Sequence, residues 1–192
     1  MKAGKTGVTT NTPNNILFGA GTIHKNLKYT TNTWNFEESI IGATSGGSKF
    51  SIKPELVDIE ADGALVKVKG LKKKVGETAT MEINFVELTK EIIKNAVIGT
   101  DGTASDTNYD LIESKADIAE GDYLDNIAFV GETMTGKKVI VIMDNALCTS
   151  GLEADNKNKE AGVGTYTFEC HASIDTDLDK LPYHIYYPKT TA

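Results

Sequence analysis

The stretch Gly76–Gly99, GETATMEINFVELTKEIIKNAVIG, changes its hydrophobic period halfway along. Ala79, Met81, Ile83 and Phe85 alternate with Thr78, Thr80, Glu82 and Asn84, which predicts a strand with one buried face. A helix is predicted directly after it. Thr89 is placed to cap its first turn, Leu88 and Ile93 to staple it, and Gly99 to end it in the left-handed conformation. The apolar stripe Ile92, Ile93, Ala96, Val97 is narrow, and a helix of this length is marginal alone, so it must dock on the sheet face carrying Met81, Ile83 and Phe85.

Upstream, Met1–Asn15 is rich in Thr and Asn and reads as an extended arm. Ile16–Phe18 opens a short apolar segment, and Trp34 and Phe36 read as core or interface anchors. Gly42–Ser48, GATSGGS, reads as a flexible loop. Asp62-Gly63 reads as a two-residue hairpin turn that would set Val57 against Val68, Asp58 against Lys67 and Ile59 against Val66. Gly70–Gly76 then reads as a basic connection.

Downstream, Thr100–Asp110 is polar and Asp106–Asp125 is rich in carboxylates. A second ribbon is predicted about Thr135-Gly136, with Val139–Ile142 buried on both faces. Asp144–Gly164 reads as a long loop with a short helical turn. A closing strand then points Tyr166, Phe168, Cys170 and Ala172 to one side. The ending, with Tyr183, Ile185, Tyr186 and Tyr187, is too aromatic for a solvated terminus.

A chain of 192 residues can bury one substantial core. The organisation expected is an arm over 1–15 and a single β domain over 16–192 with long loops at about 36–51, 100–122 and 144–164. No apolar run is long enough to span a bilayer and the first fifteen residues do not resemble a signal peptide, so the expectation is a soluble cytoplasmic product. Cys148 and Cys170 give no disulfide framework and read as small buried hydrophobes. The net charge is -7 and arginine is absent, which argues against sequence-specific nucleic-acid binding but not against letting a nucleic acid pass.

The candidate chemistry fails its geometric tests. Gly131–Lys137 fits most of a phosphate-binding loop, but Lys138 follows where Ser or Thr is needed and the segment joins two strands. Asp58, Glu60 and Asp62, and likewise Asp175, Asp177 and Asp179, space carboxylates along one face without forming a calcium loop. His24, His171 and His184 are scattered, and Cys170 and His171 would face opposite ways on a strand. The expectation is a protein that is not an enzyme and carries no cofactor or metal.

Val57–Lys72, Ala79–Thr89 with its short helix, Asp122–Gly131, Asn145–Leu147 with Gly151–Glu153, and the ending Leu181–Pro188 together resemble the tail tube (major tail) proteins of long-tailed bacteriophages. The resemblance covers roughly Ile52–Pro188, and its motifs are structural. It implies a mainly β (α+β) fold, an antiparallel β-barrel or sandwich with a flanking short helix and long assembly loops. It also implies hexameric rings stacked into a hollow tube that conducts phage DNA into the host. The implied partners are further copies of the chain, a tape-measure protein, tail-end proteins and the passing genome, and the implied location is the virion tail, assembled in the bacterial host cytoplasm. Two other readings fit the same residues: the tube protein of a contractile injection or secretion apparatus, and a host-binding β-sandwich module using Tyr183, Tyr186 and Tyr187.

Under that resemblance, face alternation nominates Asp58, Glu60, Lys67, Lys69, Thr80, Glu82 and Asn84 for the lumen, as two polar faces adjacent in one sheet. The arm and loops nominate Lys2, Lys5, Gly46, Gly47, Asp155 and Lys157 for contacts between rings. An acidic lumen would repel DNA and keep it sliding.

Overall fold

The structure, a computed structural model, describes residues 7–189. After the helical turn α1 (Thr12–Asn15) come β1 (Leu17–Lys25), the small pair β2 (Tyr29–Thr30) and β3 (Thr33–Trp34), and α2 (Phe36–Ser39). Two long strands follow, β4 (Thr44–Asp58) and β5 (Lys72–Phe85), then helix α3 (Lys90–Ala96) and the small pair β6 (Thr100–Gly102) and β7 (Leu111–Glu113). The chain closes with β8 (Leu124–Thr133), β9 (Lys138–Cys148), β10 (Gly164–Cys170) and β11 (Tyr183–Tyr186).

The main sheet is antiparallel throughout, in the order β1-β8-β9-β10-β5-β4. The second flank of β9 is shared: its first half pairs with β11, from Tyr183 opposite Met143 to Tyr186 opposite Ile140, and its end pairs with β10. The sheet curls so that β1, β8, β9, β10 and β5 turn one face onto a common core. Ala79, Met81, Ile83 and Phe85 are fully buried there, as the alternation predicts. Phe50 of β4 packs on Phe129 of β8 at 5.6 Å between ring centres, drawing the two ends of the sheet together. The fold is thus mainly β with a short flanking helix.

Helix α3 docks through two of the four residues of the predicted stripe, while Ile93 is half-buried and Val97 is exposed. Thr89 Oγ1 accepts the Ile92 amide at 3.2 Å, and Ile92 and Ala96 are buried against the core. Its end differs from expectation. Ile98 takes the left-handed conformation (φ 50°), while Gly99 donates its amide to the Lys94 carbonyl and Ile98 donates to Asn95. Holding a β-branched residue there costs about 1–2 kcal/mol. Gly99 is required by close approach instead: a Cβ on it would lie 2.8 Å from Ile112 Cγ2 and 3.1 Å from the Glu113 carbonyl of β7.

A second apolar layer lies on the opposite face of β8 and β9. Leu27, Ala128, Val130, Ile140 and Ile142 form it, with Trp34 and Phe36 packed on top, so the anchoring role predicted for these aromatics holds. This is why Val139–Ile142 is buried on both faces. The Thr135-Gly136 ribbon also forms as predicted, with Glu132 opposite Lys138 and Gly136 at φ 77°.

Several segments correct the reading from sequence. Gly42–Ser48 is not a loop: from Thr44 it is strand, and Gly46 and Gly47 adopt positive φ at a register shift, so the loop expected over 36–51 is replaced by α2 and β4. The Asp62-Gly63 turn forms, but its flanking residues do not pair with each other. Asp58 pairs with Lys72 and Val57 with Lys73, leaving residues 59–71 as the connection. Lys72–Gly76 is accordingly strand rather than linker. β9 runs on through Asp144 to Cys148 past Asn145 at φ 48°, so the loop expected over 144–164 spans only 149–163 and contains no helix. The segment 100–122 contains β6, β7 and a helical turn at Glu120–Asp122. The arm expected over 1–15 ends in α1.

Candidate functional site

Antiparallel strands with one face on a core leave the other face to solvent, and β4, β5 and β10 follow this rule. Across them, Ser51, Thr80 and Glu169 stand abreast, as do Lys49, Glu82 and Thr167. Thr80, Glu82 and Asn84 therefore share one polar face with Lys49, Ser51, Lys53, Thr165 and Thr167. Lys49 and Lys53 balance Glu82 and Glu169, so this surface does not follow the acidic charge of the whole chain. Asn84 is committed to structure: its amide donates to the Gly47 carbonyl at 3.2 Å and its oxygen accepts from Thr165 Oγ1 at 2.7 Å, fastening the glycine bulge of β4 to the sheet.

The other nominated lumen residues are not adjacent to these, which corrects the expectation of one continuous patch. Asp58 pairs with Lys72, beyond a register shift at Glu55/Leu56 and about 30 Å from Glu82 along the extended strand. Glu60, Lys67 and Lys69 sit in the connection 59–71, all exposed. The reason is register: β4 finds its partner in Lys72–Gly76, not in the residues just past the turn. Asp58 accepts from both Lys67 and Lys72 at 2.7 Å, and these two cations hold its carboxyl below the usual range.

Beyond the body, β4 and β5 continue as a two-stranded arm. β10 pairs with β5 only over Thr80–Phe85, so from Ala79 back to Lys72 the strand neighbour of β5 among the described residues is β4 alone. The arm and its connection expose apolar side chains among their charged ones. Leu65 is 99% exposed and Val66 78%, and Leu56, Val57, Ile59, Val68 and Val75 are also exposed.

Of the residues nominated for contacts between rings, Gly46 and Gly47 lie in the β4 bulge, and Asp155 and Lys157 are exposed in the loop 149–163. Lys2 and Lys5 fall outside the described residues.

The histidines and cysteines do not converge. His184 Nε2 is 3.2 Å from Asp144, His171 Nδ1 is 2.9 Å from the Glu169 carbonyl, and burial pushes the Cys170 thiol up to about 12. Cys148 and Cys170 are free and buried. Among the described residues no three His, Cys, Asp or Glu side chains come together as a metal-binding group. Among those residues, too, no helix is long and apolar enough to cross a membrane.

One polar cluster was missed from sequence. His24 is 1% exposed, with Nε2 2.7 Å from Thr22 Oγ1 and Nδ1 2.8 Å from Ser39 Oγ, and Ser39 donates to the Asn35 carbonyl at 2.8 Å. The one signal was Thr22 and His24 sharing a strand face; Ser39 lies fifteen residues on and carries none. No protein-family model matches the chain, and no curated protein matches it.

Proposed function

We propose that this chain is a structural subunit that assembles with copies of itself, as the tail tube protein of a long-tailed bacteriophage does. In this reading, rings of the subunit stack into a hollow tube in the virion tail, built in the host cytoplasm around a tape-measure protein and closed by tail-end proteins. The observation that carries it is the β4–β5 arm. Two strands that run on past β10 and are joined by a connection with exposed Leu65 and Val66 gain little within one chain, because an isolated ribbon is marginal in water. Docked on a neighbouring copy, the same residues lose their apolar exposure. A head-to-tail contact of this kind repeats without limit.

The polar face of β4, β5 and β10 is the lumen surface in this reading. Its threonines and balanced charges, without arginine, offer a DNA backbone little to hold. The role is structural and needs no catalysis. Negative-stain electron microscopy across a concentration series, with light scattering for mass, tests it. Rings or tubes are the expected outcome, and a compact monomer at every concentration, including with an added initiating tail complex, overturns it.

A host-binding module is the second reading, favoured by the aromatic cluster in which Trp34 packs 5.1 Å from Tyr29 and 5.0 Å from Tyr186, with both tyrosines exposed. Monomeric protein that binds host cells would select it.

A further inference from the structure

His24 occupies a place that suits only its neutral form. It lies on the face of β1 that meets the second apolar layer, opposite Ala128 of β8, with its ring edge-on to Phe36 at 5.7 Å. The hydrogen bonds have one consistent direction. Ser39 gives its proton to the Asn35 carbonyl, so Ser39 Oγ accepts from His24 Nδ1–H, and Nε2 is left to accept from the Thr22 hydroxyl. A second proton on Nε2 would force the Thr22 hydroxyl to turn from donor to acceptor and would place a full charge on a ring that is 1% exposed beside an apolar layer.

The charged groups around the ring offer no rescue. From β9, Lys138 adds like charge, lies over the Phe36 ring at 5.2 Å, and is itself paired with Glu132 of β8. From α2, Glu37 and Glu38 are exposed, and on β1 the next cation, Lys25, is occupied by Glu91 of α3. Burial holds the imidazole below the ordinary histidine value, Lys138 lowers it further, and the Phe36 carbonyl offsets part of this.

The segment held by this relay is short, and its two ends have ties of their own: Asn35 exchanges hydrogen bonds of 3.2 and 2.7 Å with Lys28, and Ile41 is buried in the main core. Ile40 bridges His24, Ile41 donates its amide to the Ile23 carbonyl at 3.2 Å, and Phe36 covers the second apolar layer. These contacts also occupy the outer edge of β1 next to His24.

We propose that Thr22, His24 and Ser39 form an acid-sensitive latch: protonating His24 releases segment 35–41 from β1, withdrawing Ile41 and uncovering the second apolar layer and the β1 edge while the main sheet stays folded. The sign follows from the neutral preference. A histidine disfavoured as the cation in the folded state contributes stability above its unfolded value of about 6.5, and that stability is lost as pH falls below it toward the folded value.

Trp34, the one tryptophan, sits 6.2 Å from Phe36 and reports the event. Full-chain protein is titrated from about pH 7.5 to 4.5, following Trp34 emission, hydrogen exchange at 35–41 and far-ultraviolet circular dichroism. Emission shifts to the red and exchange at 35–41 rises at least about tenfold while the sheet signal holds. In His24→Gln both stay flat with pH. An unchanged wild type, a His24→Gln transition like the wild type, or loss of the sheet signal together with the emission shift overturns the latch. If His24→Gln does not fold, imidazole nitrogen NMR of the wild type decides: the Nδ1–H tautomer with coupled changes at 35–41 supports it, and the Nε2–H tautomer or titration without such changes overturns it.

Discussion

Along β5 one strand lies in two environments. From Ala79 to Phe85 every second side chain is wholly buried, and from Thr80 on two strand neighbours hold the backbone. From Lys72 to Thr78 one neighbour remains, the pairing shifts register at Val75, and Val75 is open to water. The contrast shows that strand formation and burial are separate achievements. The backbone ladder with β4 suffices to extend the strand, while in the outer half the ties to the body come down to polar contacts such as Tyr183 donating to Glu77 at 3.2 Å. The outer half is extended without a core, which is the form expected of a segment awaiting another copy.

The difference can be broken or sharpened by substitution. The largest effect is expected at Phe85, fully buried against Tyr166, where Phe85→Ala should cost about 3–5 kcal/mol in denaturant unfolding. A cost below about 1 kcal/mol would mean that the inner half of β5 does not carry the core. Tyr166 should move the other way: its hydroxyl is buried without a hydrogen-bond partner, so Tyr166→Phe should stabilise by about 1–2 kcal/mol. Destabilisation there would reveal a bound water that completes the site.

At the docked helix, Thr89→Ala removes the cap on the Ile92 amide and should cost about 1 kcal/mol, read from the same unfolding curves. The smallest change in stability belongs to the arm. Leu65→Ser with Val66→Ser should leave monomer stability within about 0.5 kcal/mol while abolishing tubes in the micrograph. Unaltered tubes would remove the arm from the interface, and a large loss of stability would show that it packs on its own body.

The elements readable from sequence are those where a single signal decides. The period of two in Ala79–Phe85, the cap at Thr89, the Thr135-Gly136 turn and the alternation of β10 all appear in the structure. What misled was local turn chemistry opposed by a longer ladder. Asp62-Gly63 makes its turn, yet β4 gains more by continuing along β5 than by folding back on Leu65–Val68, a ribbon with no core to cover. Gly46, Gly47 and Asn145 look like strand ends because glycine and asparagine mark turns. Here Gly46 and Gly47 supply the positive φ at which β4 shifts register, and Asn145 supplies it where β9 passes from its pairing with β11 to its pairing with β10, and both strands continue. The polar face was legible for Thr80, Glu82 and Asn84, which sit on one strand. It was not legible for Asp58, Glu60, Lys67 and Lys69, whose place depends on a pairing that no local pattern encodes.

The pairing of β1 with β8 bears on how the chain is made. Lys25 meets Ile127, so on a ribosome adding about 5–20 residues per second the first strand waits roughly 5–20 s for its partner to be synthesised. During that interval β1, with exposed Leu17 and Phe18 at its start, is an unpaired apolar edge. Premature association of nascent chains is therefore a hazard set by the order of strands, and chaperone demand during synthesis should concentrate on the interval before β8 emerges.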